Sequence, residues 1–135
     1  MHIDEINMKE GFMFTNRNQC VGPAANNTNL LADSMQAFLL SSMSGKHCEF
    51  NTHTKPVKNM NGKELYDFLM EAIKKSYDSG FDLVSTIFDG SASNRKCVRL
   101  LADKCVNDKM NFKLPSYFTF DNNKILILFC MIHVI

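Results

Sequence analysis

The order of helical and strand-forming segments in the second half of the chain constrains the fold more than any other feature. Residues 62–79 predict an amphipathic helix, because apolar side chains recur at the spacing of a buried helical stripe. Residues 81–88 then predict an interior strand, and a second helix ends near residue 105. A loop over residues 106–123 leads to a very hydrophobic strand at 124–135. Because a strand–helix–strand crossover joins parallel strands, the sequence predicts an α/β fold.

The first half of the chain predicts short strands and long connections. Residues 2–22 predict two or three short strands, and residues 24–33 predict a loop. Residues 34–43 contain a short apolar core that fits a strand or a helix, and we favour the strand. Residues 44–61 are polar and contain glycine and proline, which predicts a long connection.

The composition is typical of one ordinary globular domain. The chain has 135 residues, of which 45% are hydrophobic and 21% charged, enough for a single domain with a real core. We therefore predict that residues 1–135 form one mixed sheet flanked by helices. The net charge of +1 is too small to hold nucleic acid by itself, so any DNA affinity has to come from segments outside this sequence.

The cysteines and the apolar segments indicate the cellular setting. Five cysteines without a paired CxxC spacing, and a start without a secretory signal, predict a reduced intracellular environment. The longest apolar run, residues 125–135, has about half the length of a membrane-spanning helix, so no membrane role is indicated. The sequence ends inside this run without a polar residue, which leads us to expect a domain truncated at its C-terminal end.

Two acidic residues far apart in sequence each stand beside a hydrophobic strand. Asp89 lies where a buried strand stops and a helix begins, which is where open α/β sheets bind ligands. If Asp4 lies on the neighbouring strand, the two carboxylates converge. Hard divalent cations are held by carboxylate oxygens, so this pair fits a metal-dependent phosphoryl-transfer site. The alternative is that both are ordinary strand-end and turn acids, and spacing alone favours this alternative.

Other polar residues beside these acids have simpler explanations. Ser91, Ser93 and Asn94 stand at a helix start and fit either helix capping or contact with a phosphate through backbone N–H groups. Glu5 adjoins Asp4 but points to the opposite face of an extended strand, so we do not count it as a metal ligand.

Two segments resemble motifs of a known family. Residues 4–11, DEINMKEG, are similar to the DEM-x-I-K-E-G opening of the ribonuclease H-like domain in P element-type DNA transposases, which include THAP domain-containing relatives. Residues 87–96, IFDGSASNRK, resemble the DGASxNR segment of the same family. The spacing between the two motifs is similar as well, with a helix of suitable length before the second. The resemblance covers nearly the whole chain.

The resemblance implies a ribonuclease H-like fold and a DDE-type nuclease and strand-transfer core. In such enzymes two aspartates and a later glutamate hold two divalent metals, Mg²⁺ or Mn²⁺, and the substrate is DNA. Carried over, Asp4 is the first-strand catalytic and metal-binding aspartate, and Asp89 is the fourth-strand one. The same resemblance leads us to expect a nuclear protein, with self-association as an open possibility.

The sequence also departs from the family pattern. Residues 130–135 align with a DPPHLLK segment but keep only its histidine, His133. The third carboxylate, the upstream zinc-coordinating DNA-binding module and the GTP-binding insertion are absent from this sequence. We therefore expect weak metal binding, no strand transfer by this chain alone, and most DNA affinity in the missing domains.

Two other functions remain open from the sequence. The first is a domesticated, non-catalytic domain that uses the same scaffold to bind a protein or nucleic acid. The second is a degenerate product that does not fold stably.

Overall fold

A computed structural model describes residues 1–7, 13–14, 20–44, 49–103 and 115–130. Within these residues the chain forms ten strands and two helices. In chain order they are β1 (His2–Asn7), β2 (Met13–Phe14), β3 (Cys20–Val21), β4 (Pro23–Ala24), β5 (Asn27–Leu31), β6 (Ser34–Ser41), β7 (Glu49–Val57), α1 (Gly62–Asp78), β8 (Ser85–Phe88), α2 (Ala92–Asp103), β9 (Tyr117–Phe120) and β10 (Asn123–Phe129).

Six of the strands form one mixed sheet in the order β7-β6-β1-β8-β10-β9. Strand β8 runs parallel to both β1 and β10, while β1–β6, β6–β7 and β9–β10 are antiparallel pairs. The pairs β2–β3 and β4–β5 form two small separate sheets. The prediction of a mixed α/β sheet with helices is confirmed, and so is the β8–α2–β10 crossover.

Helix α1 follows the prediction because its start is encoded locally. The side chain of Asn61 accepts hydrogen bonds from the backbone N–H groups of Lys63 (2.9 Å) and Glu64 (3.1 Å). In return, the carboxylate of Glu64 accepts from the Asn61 N–H (2.9 Å), which completes a capping box. Gly80 follows the helix with φ +82°, a conformation that glycine adopts without strain.

The described helices cover one face of the sheet. Alternate residues of β10 show this directly: Ile125 and Ile127 are buried in the core with α1 and α2, whereas Leu126 and Leu128 are 43% and 47% exposed. Helix α1 also packs closely against α2. Neither helix in the described residues is long and apolar enough to cross a membrane.

Several strand boundaries differ from the prediction. Residues 44–61 were expected to be a connection, but Glu49–Val57 is the edge strand β7. An edge strand keeps one side in solvent, so its polar residues and Pro56 are tolerated and hide the strand pattern. Strands β4 and β5 replace the loop predicted at 24–33, and β9 lies within the loop predicted at 106–123.

The remaining boundaries are closer to expectation. Strand β6 confirms the preference for a strand over a helix at 34–43. The interior strand predicted from residue 81 begins at Ser85. The predicted end of the second helix near residue 105 lies outside the described residues, as does the final part of the last strand, 131–135.

Candidate functional site

Parallel pairing of β1 with β8 brings Asp4 and Asp89 to the same end of the sheet. The register pairs His2 with Ile87, and the Ile87 N–H donates to the Met1 carbonyl (2.8 Å). Continuing this register along both strands places Asp4 level with Asp89. Asp89 directly follows the carboxyl end of β8, where α/β sheets bind ligands, and Asp4 lies in the middle of the neighbouring strand β1.

Asp4 and Asp89 line the same small pocket, which lies between the sheet and the starts of α1 and α2. The pocket has a cavity volume of about 10 Å³ and is open to solvent on one side. Glu5, Gln36 and Asn94 are among its other polar lining residues. The structure thus places the two sequence-predicted acids at one site.

Asp89 is half-buried and held by the turn that starts α2. Its Oδ1 accepts hydrogen bonds from the Ser91 backbone N–H (2.9 Å) and from the side-chain amide of Asn94. In the described part of the chain, Oδ2 has no hydrogen-bond partner. One carboxylate oxygen is therefore fixed by the protein, and the other remains available to a ligand.

Asp4 is exposed and is held mainly through its backbone. Its carbonyl accepts a hydrogen bond from the Gln36 side-chain amide (2.8 Å), and Gln36 is only 3% exposed. The Asp4 Oδ1 accepts from the Glu5 N–H (2.9 Å). Antiparallel pairing with Ala37 on β6 fixes the strand around it. The position of Asp4 therefore depends on β6, and its carboxylate faces accessible space.

Glu5 lies nearer the site than the strand alternation predicted. It lines the same pocket as Asp4, and its Oε1 accepts a hydrogen bond from the buried Ser34 hydroxyl (2.6 Å). That bond ties Glu5 to β6. Glu5 was not expected to be a metal ligand, and its carboxylate already has a protein partner.

The serines after Asp89 act as structural groups. The Ser91 hydroxyl accepts from the Asn94 N–H (3.3 Å), and the Ser91 carbonyl accepts from the Arg95 N–H (3.0 Å). The Ser93 hydroxyl donates to the Met60 carbonyl (2.9 Å). The sequence left helix capping and phosphate contact as alternatives. These hydrogen bonds match helix capping.

Gln36 and Asn94 are the site residues that sequence reasoning missed. Asn94 had been considered only as a phosphate contact or a cap, and Gln36 not at all. Asn94 lies in the first turn of a helix that follows Asp89, and this position was a usable indication that the two side chains meet. The contact of Gln36 with Asp4 depends on the β1–β6 register, which the sequence does not reveal.

The donor atoms of the pocket fit a hard divalent cation. Among the described residues, no group of three or more His, Cys, Asp or Glu side chains is arranged to hold a metal ion. Two carboxylates are nevertheless a usual protein contribution to an Mg²⁺ site, where water and substrate phosphates complete the coordination. The unpartnered Oδ2 of Asp89 and the exposed carboxylate of Asp4 meet that requirement.

A second polar cluster lies away from this pocket, between β7 and α1. Glu71 contacts Lys55 (2.6 Å), Lys75 (2.9 Å) and His53 (3.4 Å). The hydrogen bonds from the two lysines lower the pKa of Glu71 to about 2. Burial lowers the pKa of His53. The cluster joins the edge strand to the helix.

Comparisons with known proteins agree with the fold. The profile of a protein family described as "TNP-like, RNase H N-terminal domain" matches residues 1–102. A search of curated protein sequences found no significant match.

Among solved structures, the chain is similar to the Drosophila P element transposase strand transfer complex, with a TM-score of 0.60 and 15% sequence identity. The match covers 95% of this chain and 25% of that chain. This likeness shows a ribonuclease H-like fold, as the resemblance in the sequence had implied. The chain spans about a quarter of the length of the transposase.

Proposed function

Because the chain belongs to the family of TNP-like ribonuclease H N-terminal domains, we propose that Asp4 and Asp89 together bind a divalent cation, Mg²⁺ or Mn²⁺. The site lies in the ribonuclease H-like fold of a transposase family. The proposed role is to provide two carboxylates of a centre that acts on DNA phosphodiester bonds.

The observation that carries the proposal is that both acids line one pocket, where strand β8 ends beside the parallel strand β1. Asp4 and Asp89 both line this pocket, and a divalent cation bound by both carboxylates offsets their negative charges. No Lys, Arg or His side chain is among the described residues that line the pocket. A cation from solution is therefore the natural counter-charge.

Asp89 and Asp4 have different roles in the proposed site. Asp89, fixed through Oδ1, offers Oδ2 in a defined direction, and Asp4 offers an exposed carboxylate on a strand anchored by Gln36. When bound, the cation supplies Lewis-acid polarisation of a phosphodiester and a lowered pKa of its bound water. The open side of the pocket gives a polymeric substrate access to both carboxylates.

We propose DNA as the substrate because of the family and because of one structural relative. That relative was solved as a strand transfer complex of a transposase. Since this chain carries a net charge of +1 and corresponds to a quarter of that protein, we place most of the DNA affinity in other segments. The same segments supply the third carboxylate, so the chain alone is inactive. A nuclear location belongs to this proposal as well.

Titration with Mn²⁺ tests the metal site. We expect wild type to bind one Mn²⁺ weakly, and Asp4→Asn and Asp89→Asn each to weaken binding at least tenfold, since each removes one of two charged ligands. Asp82→Asn is the matched control because it makes the same charge change on an exposed acid before β8, outside the pocket. Isothermal titration calorimetry measures all four proteins.

The outcome decides between the two functional classes. Loss of binding in both pocket variants, with Asp82→Asn unchanged, supports the metal site. Equal isotherms for wild type and Asp89→Asn remove Asp89 from the metal shell. That result favours the non-catalytic interaction domain left open by the sequence.

A further inference from the structure

Asn94 is a buried polar residue whose side chain is directed at Asp89. It lies in the first turn of α2 and is 6% exposed. Its side-chain amide donates to Asp89 Oδ1, the same oxygen that accepts from the Ser91 N–H. Buried amides are almost always hydrogen-bonded, and here the acceptor is the carboxylate of the candidate site.

We propose that Asn94 is a positioning residue that fixes the side chain of Asp89 and keeps its Oδ2 available to the cation. This inference rests on the proposed function for the role of the cation. The hydrogen bond itself is independent of any metal. Partners of this kind, one step removed from the metal, orient the ligand and strongly affect metal affinity.

The chemistry of an amide suits this role better than that of a cationic side chain. The Asn94 amide is a neutral donor, so it binds Asp89 without cancelling the carboxylate charge. A lysine or arginine at the same place pairs with the carboxylate and competes with a metal ion. The neutral partner therefore orients the ligand and preserves its attraction for a cation.

The first turn of α2 is rigidly held, as a positioning residue requires. The Ser93 hydroxyl donates to the Met60 carbonyl (2.9 Å), which ties α2 to the segment before α1. The two helices also approach closely at Gly62, where an added Cβ would lie 2.5 Å from the Lys96 Cβ. Cys97 and Val98, on the following turn, are fully buried in the core. Asn94 thus projects from a fixed support.

The first test measures the Asp89 side chain without metal. Three-bond couplings to the Asp89 Cγ report its χ1 rotamer by NMR. Wild type is expected to show one rotamer, and Asn94→Leu, which keeps the size but removes the amide, to show averaging. Asn123→Leu is the matched control, because it makes the same change at an exposed asparagine outside the pocket. A single rotamer in Asn94→Leu overturns the proposal.

A second measurement covers the case in which Asn94→Leu does not fold. In wild type, one side-chain amide proton of Asn94 is expected to exchange slowly with solvent. In Asp89→Ala it is expected to exchange at least tenfold faster, since its acceptor is gone. Equal exchange in both proteins shows that Asn94 does not bind Asp89 and overturns the proposal.

Metal affinity separates this inference from the proposed function. With Mn²⁺ we expect Asn94→Leu to bind about tenfold more weakly than wild type and Asn123→Leu to bind equally well. If wild type binds Mn²⁺ through Asp89 and Asn94→Leu binds as tightly, Asn94 has no positioning role and the metal site stands. If wild type binds no Mn²⁺, the proposed function fails, and the rotamer measurement alone decides whether Asn94 orients Asp89.

Discussion

At the scale of single residues, Asp89 and Glu71 show how differently two carboxylates are used. Asp89 accepts hydrogen bonds from neutral N–H groups on one oxygen, so its charge is not cancelled by a neighbour. Glu71 instead forms ion pairs with Lys55 and Lys75, which compensate its negative charge within the protein. The first arrangement suits a ligand from solution, and the second joins a strand to a helix.

The paired state of Glu71 predicts how stability changes in acid. The lysines lower its pKa from 4.5 to about 2, so its contribution is complete above pH 4.5 and is lost as the pH falls toward 2. Glu71→Gln is therefore expected to lower stability at pH 6 and to matter less at pH 3. The side chain is 41% exposed, so solvent screening keeps the effect at about 0.5–1 kcal/mol.

Urea denaturation at the two pH values checks this prediction. Glu49→Gln, which removes an exposed carboxylate from strand β7 outside this cluster, is the control. A Glu71→Gln effect that is the same size at pH 6 and pH 3 contradicts the account of the cluster.

At the scale of elements, the contact between α1 and α2 connects the fold to the site. Gly62 begins α1 at a point where the helices leave no room for a side chain. An added Cβ would lie 2.5 Å from the Lys96 Cβ and 2.8 Å from the Ser93 carbonyl oxygen. This packing holds the first turn of α2, from which Asn94 reaches Asp89.

Gly62→Ala is accordingly expected to destabilise the protein, although alanine is the better helix former. The clash involves backbone as well as side-chain atoms, and overpacking of this kind costs about 1–3 kcal/mol. Thermal or urea unfolding measures the loss. A stability equal to or above wild type shows that the helices separate without cost and contradicts the tight α1–α2 contact.

Elements were predictable from sequence where their determinants are local. The capping box of α1 and its apolar stripe lie within one segment, so that helix was found. Strand β7 was missed because its residues pair with β6 on one side and meet solvent on the other, which leaves no clean alternation. Strand β9 is short and is defined by its pairing with β10. Such strands exist only through partners distant in sequence.

At the scale of the whole molecule, the site is a product of the sheet order. The predicted crossover relates β8 to β10 and leaves the place of β1 open, so the sequence predicted that Asp4 and Asp89 converge only if β1 and β8 are adjacent. The structure has these strands paired. The supporting contacts of Gln36 and Asn94 depend on exact register and helix placement, and were beyond the sequence. The family and the structural relative agree with the ribonuclease H-like fold.

The central claim is that Asp4 and Asp89 share one cation. Anomalous diffraction from crystals grown with Mn²⁺ tests it most directly, because the Mn²⁺ position is seen independently of the protein. The account predicts one anomalous peak within coordinating distance of a carboxylate oxygen from each residue, with Asp89 coordinating through Oδ2. A Mn²⁺ peak elsewhere, or one that contacts only one of the two acids, would contradict it.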